Sequence, residues 1–136
     1  MGLQLKLKPR ELLIINGCIL RNGDRRLNIE IENRADILRG NEIIDEADAK
    51  TPVRRLAHLI QKALVNRPAR EVLLPEIVRS FWELEDILGR SHGEDLKAAR
   101  MLVQSGEFYG AYRKLVPVIR HEDHLLSLPQ GASESN

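Results

Sequence analysis

The sequence holds a single cysteine, Cys18, so no internal disulfide can form. Cys18 sits in an apolar run, which suits a reducing cytoplasm and a small buried hydrophobe. Aromatics are also scarce. Only Phe81, Trp82, Phe108, Tyr109 and Tyr112 occur, so the core has to be largely aliphatic. No apolar run approaches the ~20 residues that cross a bilayer. Met1 to Pro9 alternates instead of forming an apolar block, so no signal peptide is expected. An excess of one charge is missing too. The net charge is +1, and charge alone selects neither nucleic acid nor membrane.

Catalytic signatures are equally absent. Gly17 and Gly23 punctuate strands and do not open a helix, which argues against a phosphate loop. No Ser, Thr or Cys lies in a nucleophile motif, and Glu83 with Asp86 reads as ordinary helix-surface charge. His121 and His124 flank Glu122-Asp123 at i, i+3 spacing. Without a further nearby Cys or His, a solvated helix end is the reading preferred to a metal site. His58 and His92 stand alone as surface or hinge residues. No enzyme activity, metal or cofactor is expected.

What is present begins with period-two alternation. Leu3, Leu5 and Leu7 interleave with Gln4, Lys6 and Lys8, the mark of a half-buried strand. Leu12–Ile15 and Cys18–Leu20 are short apolar runs on either side of the turn signal Asn16-Gly17. Asn22-Gly23 predicts a type I′ hairpin turn. Leu27, Ile29 and Ile31 form a second amphipathic strand, and Ile37-Leu38 and Ile43-Ile44 are shorter candidates. About 50 residues of sheet bury too little alone. Its apolar face should therefore lie on helices or on another copy of the chain, and a homo-oligomer is expected.

Thr51-Pro52 predicts an N-cap with proline in the first turn of a helix, followed by Val53, Leu56, Ile60, Ala63 and Leu64 at helical spacing. A second helix, Ala69 to Leu88, places Val72, Leu73, Ile77, Phe81, Leu84 and Leu88 inward, with a kink or late start at Pro75. Gly89 should stop it. Ser91 and Glu94 have capping-box spacing for a third helix, and Gly106 reads as its C-cap. A fourth starts near Glu107 and is interrupted at Pro117. The expected fold is α+β, a small antiparallel β-sheet or roll followed by a bundle of about four helices. Residues 1–48 should form the β-unit, 49–128 the helical part packed against it, and 129–136 a flexible tail.

Positive charge is unevenly placed. Lys50 to Arg70 carries six basic residues and no acid. Arg55, His58 and Lys62 share one helix face, with Arg54 alongside. Lys6, Lys8 and Arg10 mark the first strand, and Arg25 and Arg26 follow the Asn22-Gly23 turn. Such donors can hold a phosphate backbone, and arginine also stacks on bases. A plain solvated face accounts for the same charge. No aromatic platform lies in the β-unit, which argues against stacked base reading there. Phe108, Tyr109 and Tyr112 are candidates for a protein interface, or for packing between helices.

Several of these segments resemble the FlbT family. They are Leu5-Lys6-Leu7-Lys8-Pro9-Arg10-Glu11, Ile15-Asn16-Gly17 and Arg21-Asn22-Gly23-Asp24-Arg25-Arg26. Ile43-Ile44 through Ala47, Thr51-Pro52-Val53-Arg54-Arg55-Leu56 with Gln61, Tyr112 to Leu115 and Glu122-Asp123 are similar as well. Arg10 stands where that family usually has glycine, and His58 where it commonly has an aromatic pair. The resemblance implies a cytoplasmic repressor of flagellum biosynthesis acting after transcription. It would associate with the 5′ untranslated region of flagellin mRNA, limit translation and promote decay. It also implies a FlaF-type flagellar protein as functional counterpart. An adaptor that binds flagellin or such a partner, touching mRNA only indirectly, is the alternative. The candidate RNA contacts, Lys6, Lys8, Arg10, Arg25, Arg26, Arg54, Arg55 and Lys62, come from the basic positions alone.

Overall fold

The computed structural model describes residues 2–127. The expected tail from Pro129 lies outside them. Five strands come first: β1 (Leu3–Leu7), β2 (Leu12–Ile15), β3 (Cys18–Arg21), β4 (Leu27–Ile31) and β5 (Ile37–Arg39). They form two antiparallel sheets. One is the ribbon β1–β4, with Leu5 opposite Ile29; the other has the order β3–β2–β5.

Strand periodicity explains how the layers stack. Leu13, Ile15 and Ile37 point to one face of the three-stranded sheet and pack with Leu5, Leu7, Ile29 and Ile31 of the ribbon. Ile14 and Leu38 point the other way, into the helical core. The small sheet therefore gains its burial from the ribbon on one side and the helices on the other. Each buried Leu or Ile contributes about 1.5–3 kcal/mol.

Two Asn-Gly dipeptides behave differently. Asn16-Gly17 forms the β2–β3 turn with φ +50° and +81°, the signature of type I′. A Cβ on Gly17 would stand 2.5 Å from the Leu64 carbonyl oxygen, so glycine lets the hairpin press on the helical layer. The turn expected at Asn22-Gly23 is not a hairpin, because β3 and β4 do not pair and neither residue has positive φ. Here the chain crosses between sheets. The Asn22 carboxamide holds the crossing by donating to the Lys8 and Arg25 carbonyls at 2.7 and 2.8 Å. Arg10, where the resembled family has glycine, sits at φ +63°. That is a left-handed conformation that glycine adopts more easily.

Ile43-Ile44 is not a strand either. Ile44 is buried, but its N–H and C=O bond the Gln61 carboxamide at 2.9 and 3.0 Å. One side chain thus replaces a neighbouring strand. Cys18 is exposed on edge strand β3, contrary to the expected burial, because among the described residues no element covers that edge.

Among the described residues three helices follow, not about four: α1 (Pro52–Val65), α2 (Arg70–Gln104) and α3 (Phe108–Ser127). Thr51 caps α1, accepting from the Arg54 N–H, with Pro52 in its first turn. The break expected at Gly89 is instead a kink at His92 (φ −134°, ψ 20°), and Ser91 forms no capping box. The arms of α2 turn back on each other. Arg100 bonds Glu85 at 2.8 Å and lies over the Trp82 ring at 3.9 Å. On a straight helix those pairs would stand more than ~20 Å apart. Gly106, at φ +87°, ends α2 as expected. Pro75 does not delay α2, and Pro117 does not interrupt α3. Both prolines are on exposed faces, where water can take the freed carbonyls. Val72, placed inward by its spacing, is 80% exposed.

Candidate nucleic-acid interface

The ribbon gathers basic residues that sequence spacing alone could not bring together. Its outward face carries the even positions. Gln4 lies opposite Glu30 and Lys6 opposite Asn28. Extending that register sets Lys8 opposite Arg26. Lys6, Lys8, Arg26 and Asn28 line one depression of about 370 Å³. Among the described residues, none of Lys6, Lys8, Arg25 and Arg26 has an ion-pair partner. Like charges set across a strand pair repel each other by a few tenths to about 1 kcal/mol. An incoming phosphate would relieve that repulsion. Arg10 lies at the same end but is 3.6 Å from Asp24, both well exposed.

Lys8 is tied to the fold through its backbone. Its N–H donates to Glu11 at 2.9 Å. That hydrogen bond holds the Glu11 carboxyl below its ordinary range; burial opposes the effect and Arg39, at 3.0 Å, adds to it. A second open depression, of about 660 Å³, includes Lys8, Arg39 and Arg120 with Glu11 and Glu42, so its charges are mixed.

The α1 stretch is acid-free in sequence but not in space. Arg54 reaches Asp123 at 2.6 Å, a bond that holds its guanidinium above the usual arginine range. Arg55 donates to the Lys50 carbonyl at 2.7 Å. Lys62 is exposed and has no ion-pair partner among the described residues. His58 is pushed down by burial and then by Lys62, against the pull of Glu46 and Asp45. Of the three α1 candidates, Arg54 is therefore already neutralised, and Arg55 and Lys62 stay open. None of them lines the ribbon depression.

The aromatic candidates serve the interior. Phe108 and Tyr112 are buried, and Tyr109 is half-buried. The Tyr109 hydroxyl donates to the Ile37 carbonyl at 3.1 Å, and that of Tyr112 donates to the Glu42 carbonyl. Burial, and then Glu42, push the Tyr112 hydroxyl up, so it remains a donor. Arg113 adds a bond to the Ile37 carbonyl at 2.8 Å and an ion pair with Glu42. Burial opposes its charge, and the bonds to Glu42 and Tyr109 more than offset that. These contacts fasten α3 to the β-unit. Sequence spacing marked the tyrosines but gave no sign of Arg113 or Glu42.

A cleft of about 240 Å³ lies where the Asn16-Gly17 turn meets the α1–α2 junction. Arg67, Arg70, Asp36 and Tyr109 line it over Ile14, Leu38 and Leu64. His92 and His121 approach to 2.5 Å at the α2 kink. Among the described residues no group of three or more His, Cys, Asp or Glu side chains is placed to hold a metal. No helix among them is long and apolar enough to cross a membrane.

The sequence profile of the family described as "Flagellar protein FlbT" matches residues 3–126. The chain belongs to the FlbT family. A "Probable flagellum biosynthesis repressor protein FlbT" of Rhodopseudomonas palustris (strain TIE-1) is 32% identical over 129 residues, covering 93% of this chain and 99% of that one. One from Mesorhizobium japonicum is 35% identical over 117 residues, covering 74% and 79%. The "Flagellum biosynthesis repressor protein FlbT" of Caulobacter vibrioides (strain ATCC 19089) is 28% identical over 127 residues, covering 93% and 90%. No solved structure matches. The FlbT match spans both the ribbon bearing Lys6, Lys8 and Arg26 and the α3 residues fastened to the β-unit.

Proposed function

We propose that the chain is a cytoplasmic post-transcriptional repressor of flagellin synthesis. It associates with the 5′ untranslated region of flagellin mRNA, limits translation and promotes decay. Membership of the FlbT family and the repressor names of its relatives support the regulatory role. The observation that carries the RNA contact is the ribbon surface of Lys6, Lys8 and Arg26, with Arg25 beside it, which lacks ion-pair partners among the described residues. Arg55 and Lys62 supply further donors, and Arg10 and Arg54 weaker ones because of Asp24 and Asp123.

Gel shift of a flagellin leader RNA tests this with two charge reversals. Lys6→Glu/Lys8→Glu/Arg26→Glu should cost at least about tenfold in affinity, since phosphate contacts dominate binding. Arg54→Glu/Arg55→Glu/Lys62→Glu should cost less. No loss in the first removes the ribbon from the RNA surface, and equal loss in both adds the α1 face to it.

An adaptor for flagellin or a FlaF-type protein is the second reading, and so is self-association. Both draw on the edge of β3, which no other described strand pairs and where Ile19 and Leu20 are exposed. Such an edge can accept an added strand. Partner protein retained through nuclease treatment, with no RNA bound by the pure chain, favours the adaptor. A strictly monomeric mass by light scattering at micromolar concentration excludes the homo-oligomer.

A further inference from the structure

The α1–α2 cleft joins two arginines, an apolar floor and a polar wall. Arg67 and Arg70 have no ion-pair partner among the described residues. Arg70 is fixed in place: its Nε donates to the Ala63 carbonyl at 2.7 Å, and its guanidinium lies 4.7 Å from the Phe108 ring centre. Burial, and then Arg67, push its pKa down, as uncompensated charges do. Two unneutralised guanidiniums lining one cleft suit a phosphate.

Asn16 and Asp36 line the same cleft. The Asn16 side-chain oxygen accepts the Asp36 N–H at 2.9 Å, and the Asn16 N–H donates to the Asp36 carbonyl at 2.8 Å. Its oxygen is therefore engaged, and its amide NH₂ is left to donate. The Asp36 carboxylate, which can only accept, has no hydrogen-bond or ion-pair partner among the described residues. A donor beside a double acceptor complements the Watson–Crick edge of guanine, where O6 accepts and N1–H and N2–H donate. Adenine would turn its N1 lone pair toward the carboxylate. Ile14, Leu38 and Leu64 supply an apolar floor, and Tyr109 a side wall. At about 240 Å³ the space is below that of drug-sized pockets, which start near ~300 Å³. It suits a single unstacked base with its phosphate on the arginines.

We propose that this cleft holds one guanine nucleotide, its phosphate on Arg67 and Arg70 and its base edge on Asn16 and Asp36. The source of the nucleotide rests on the RNA reading: a single-stranded residue of the leader, whose unpaired bases can splay into a pocket. Free guanine nucleotide offers the same chemistry, and the test separates the two.

The full chain is titrated with GMP, AMP and inorganic phosphate, followed by amide NMR signals. GMP should shift Asn16, Gly17, Asp36, Arg67 and Arg70 saturably, and AMP should bind at least about fivefold more weakly, the lower end of what a bidentate base contact discriminates. Arg67→Gln should weaken GMP about tenfold, the loss of a charge-assisted bond. Asp36→Asn should abolish the preference over AMP. Arg67 and Asp36 are both exposed, so neither change threatens the fold. Absence of saturable shifts, or phosphate binding as well as GMP does, overturns the site. The same variants are then assayed on leader RNA. Weakened RNA binding by Asp36→Asn makes the RNA guanine the occupant. Intact RNA binding by both variants overturns the leader as source and leaves the RNA reading standing on the ribbon. GMP binding with no RNA binding by the wild type ends the RNA reading and keeps the cleft as a free-nucleotide site.

Discussion

Substituting Gly17 by alanine separates two costs that the fold places on one residue. The first is conformational: at φ +81° an L-residue loses about 1 kcal/mol relative to glycine. The second is steric. The new Cβ would stand 2.5 Å from the Leu64 carbonyl oxygen, near the end of α1. That atom is backbone and cannot swing aside. The β2–β3 turn would have to retreat from α1 by close to an ångström, loosening Ile14 and Leu38 against Leu64. Overpacking of this kind costs about 1–3 kcal/mol, so Gly17→Ala should lose about 3 kcal/mol in all. Two controls divide the sum. Gly106 has φ +87°, and a Cβ there would meet nothing within 4 Å, so Gly106→Ala should lose about 1 kcal/mol, the backbone part alone. Gly23 has open space and ordinary φ, so Gly23→Ala should stay within about 0.5 kcal/mol. Urea unfolding followed by far-UV circular dichroism measures all three, with the m-value held constant. If Gly17→Ala loses no more than Gly106→Ala, the close approach of hairpin and α1 is refuted.

Other substitutions probe the remaining joints. Arg10→Gly relieves a left-handed arginine and should raise stability by up to about 1 kcal/mol in the same urea assay; a loss would mean that the Asp24 contact matters more than the strain. Tyr112→Phe removes the bond to the Glu42 carbonyl inside the structure, and should cost about 1–2 kcal/mol, with no change expected of an unburied hydroxyl. For His58, the folded chain binds its proton less tightly than the unfolded chain, whose ordinary value is 6.5. Stability should therefore fall as pH drops through that value, the loss being complete below the depressed folded value. His58→Gln should flatten that part of the stability profile. Glu11 acts at lower pH: its depressed folded value makes its contribution present above its ordinary 4.5 and lost as pH falls through the folded value, so Glu11→Gln should lessen acid unfolding there.

Period-two alternation located the strands well, because Leu3, Leu5, Leu7 and Leu27, Ile29, Ile31 obey a local rule. The pairing of those strands obeys none. Asn16-Gly17 and Asn22-Gly23 are the same dipeptide, and only the first closes a hairpin, since β4 turns away to join β1. Gly89 and Ser91 mark a real disturbance in the helix, which emerges as a kink at His92 held by Arg100 on Glu85. Ile44 looked like a strand residue because its side chain is buried and its backbone is paired, though by Gln61. The same limit governs the candidate surface. The stretch from Lys50 to Arg70 is acid-free along the chain, yet Asp123 arrives on Arg54 from α3. Conversely, Lys8 and Arg26 are far apart in sequence, and the pairing of β1 with β4 brings them to one depression.

The salt dependence of leader-RNA binding by the pure chain tests the proposed RNA contact of the ribbon most directly. Each phosphate contact to a single strand contributes about 0.7 to the slope of log K against log salt. Lys6→Ala/Lys8→Ala/Arg26→Ala should therefore bind more weakly and lower that slope by about 2. Failure of the wild type to bind, or an unchanged affinity and slope in the triple variant, contradicts the account.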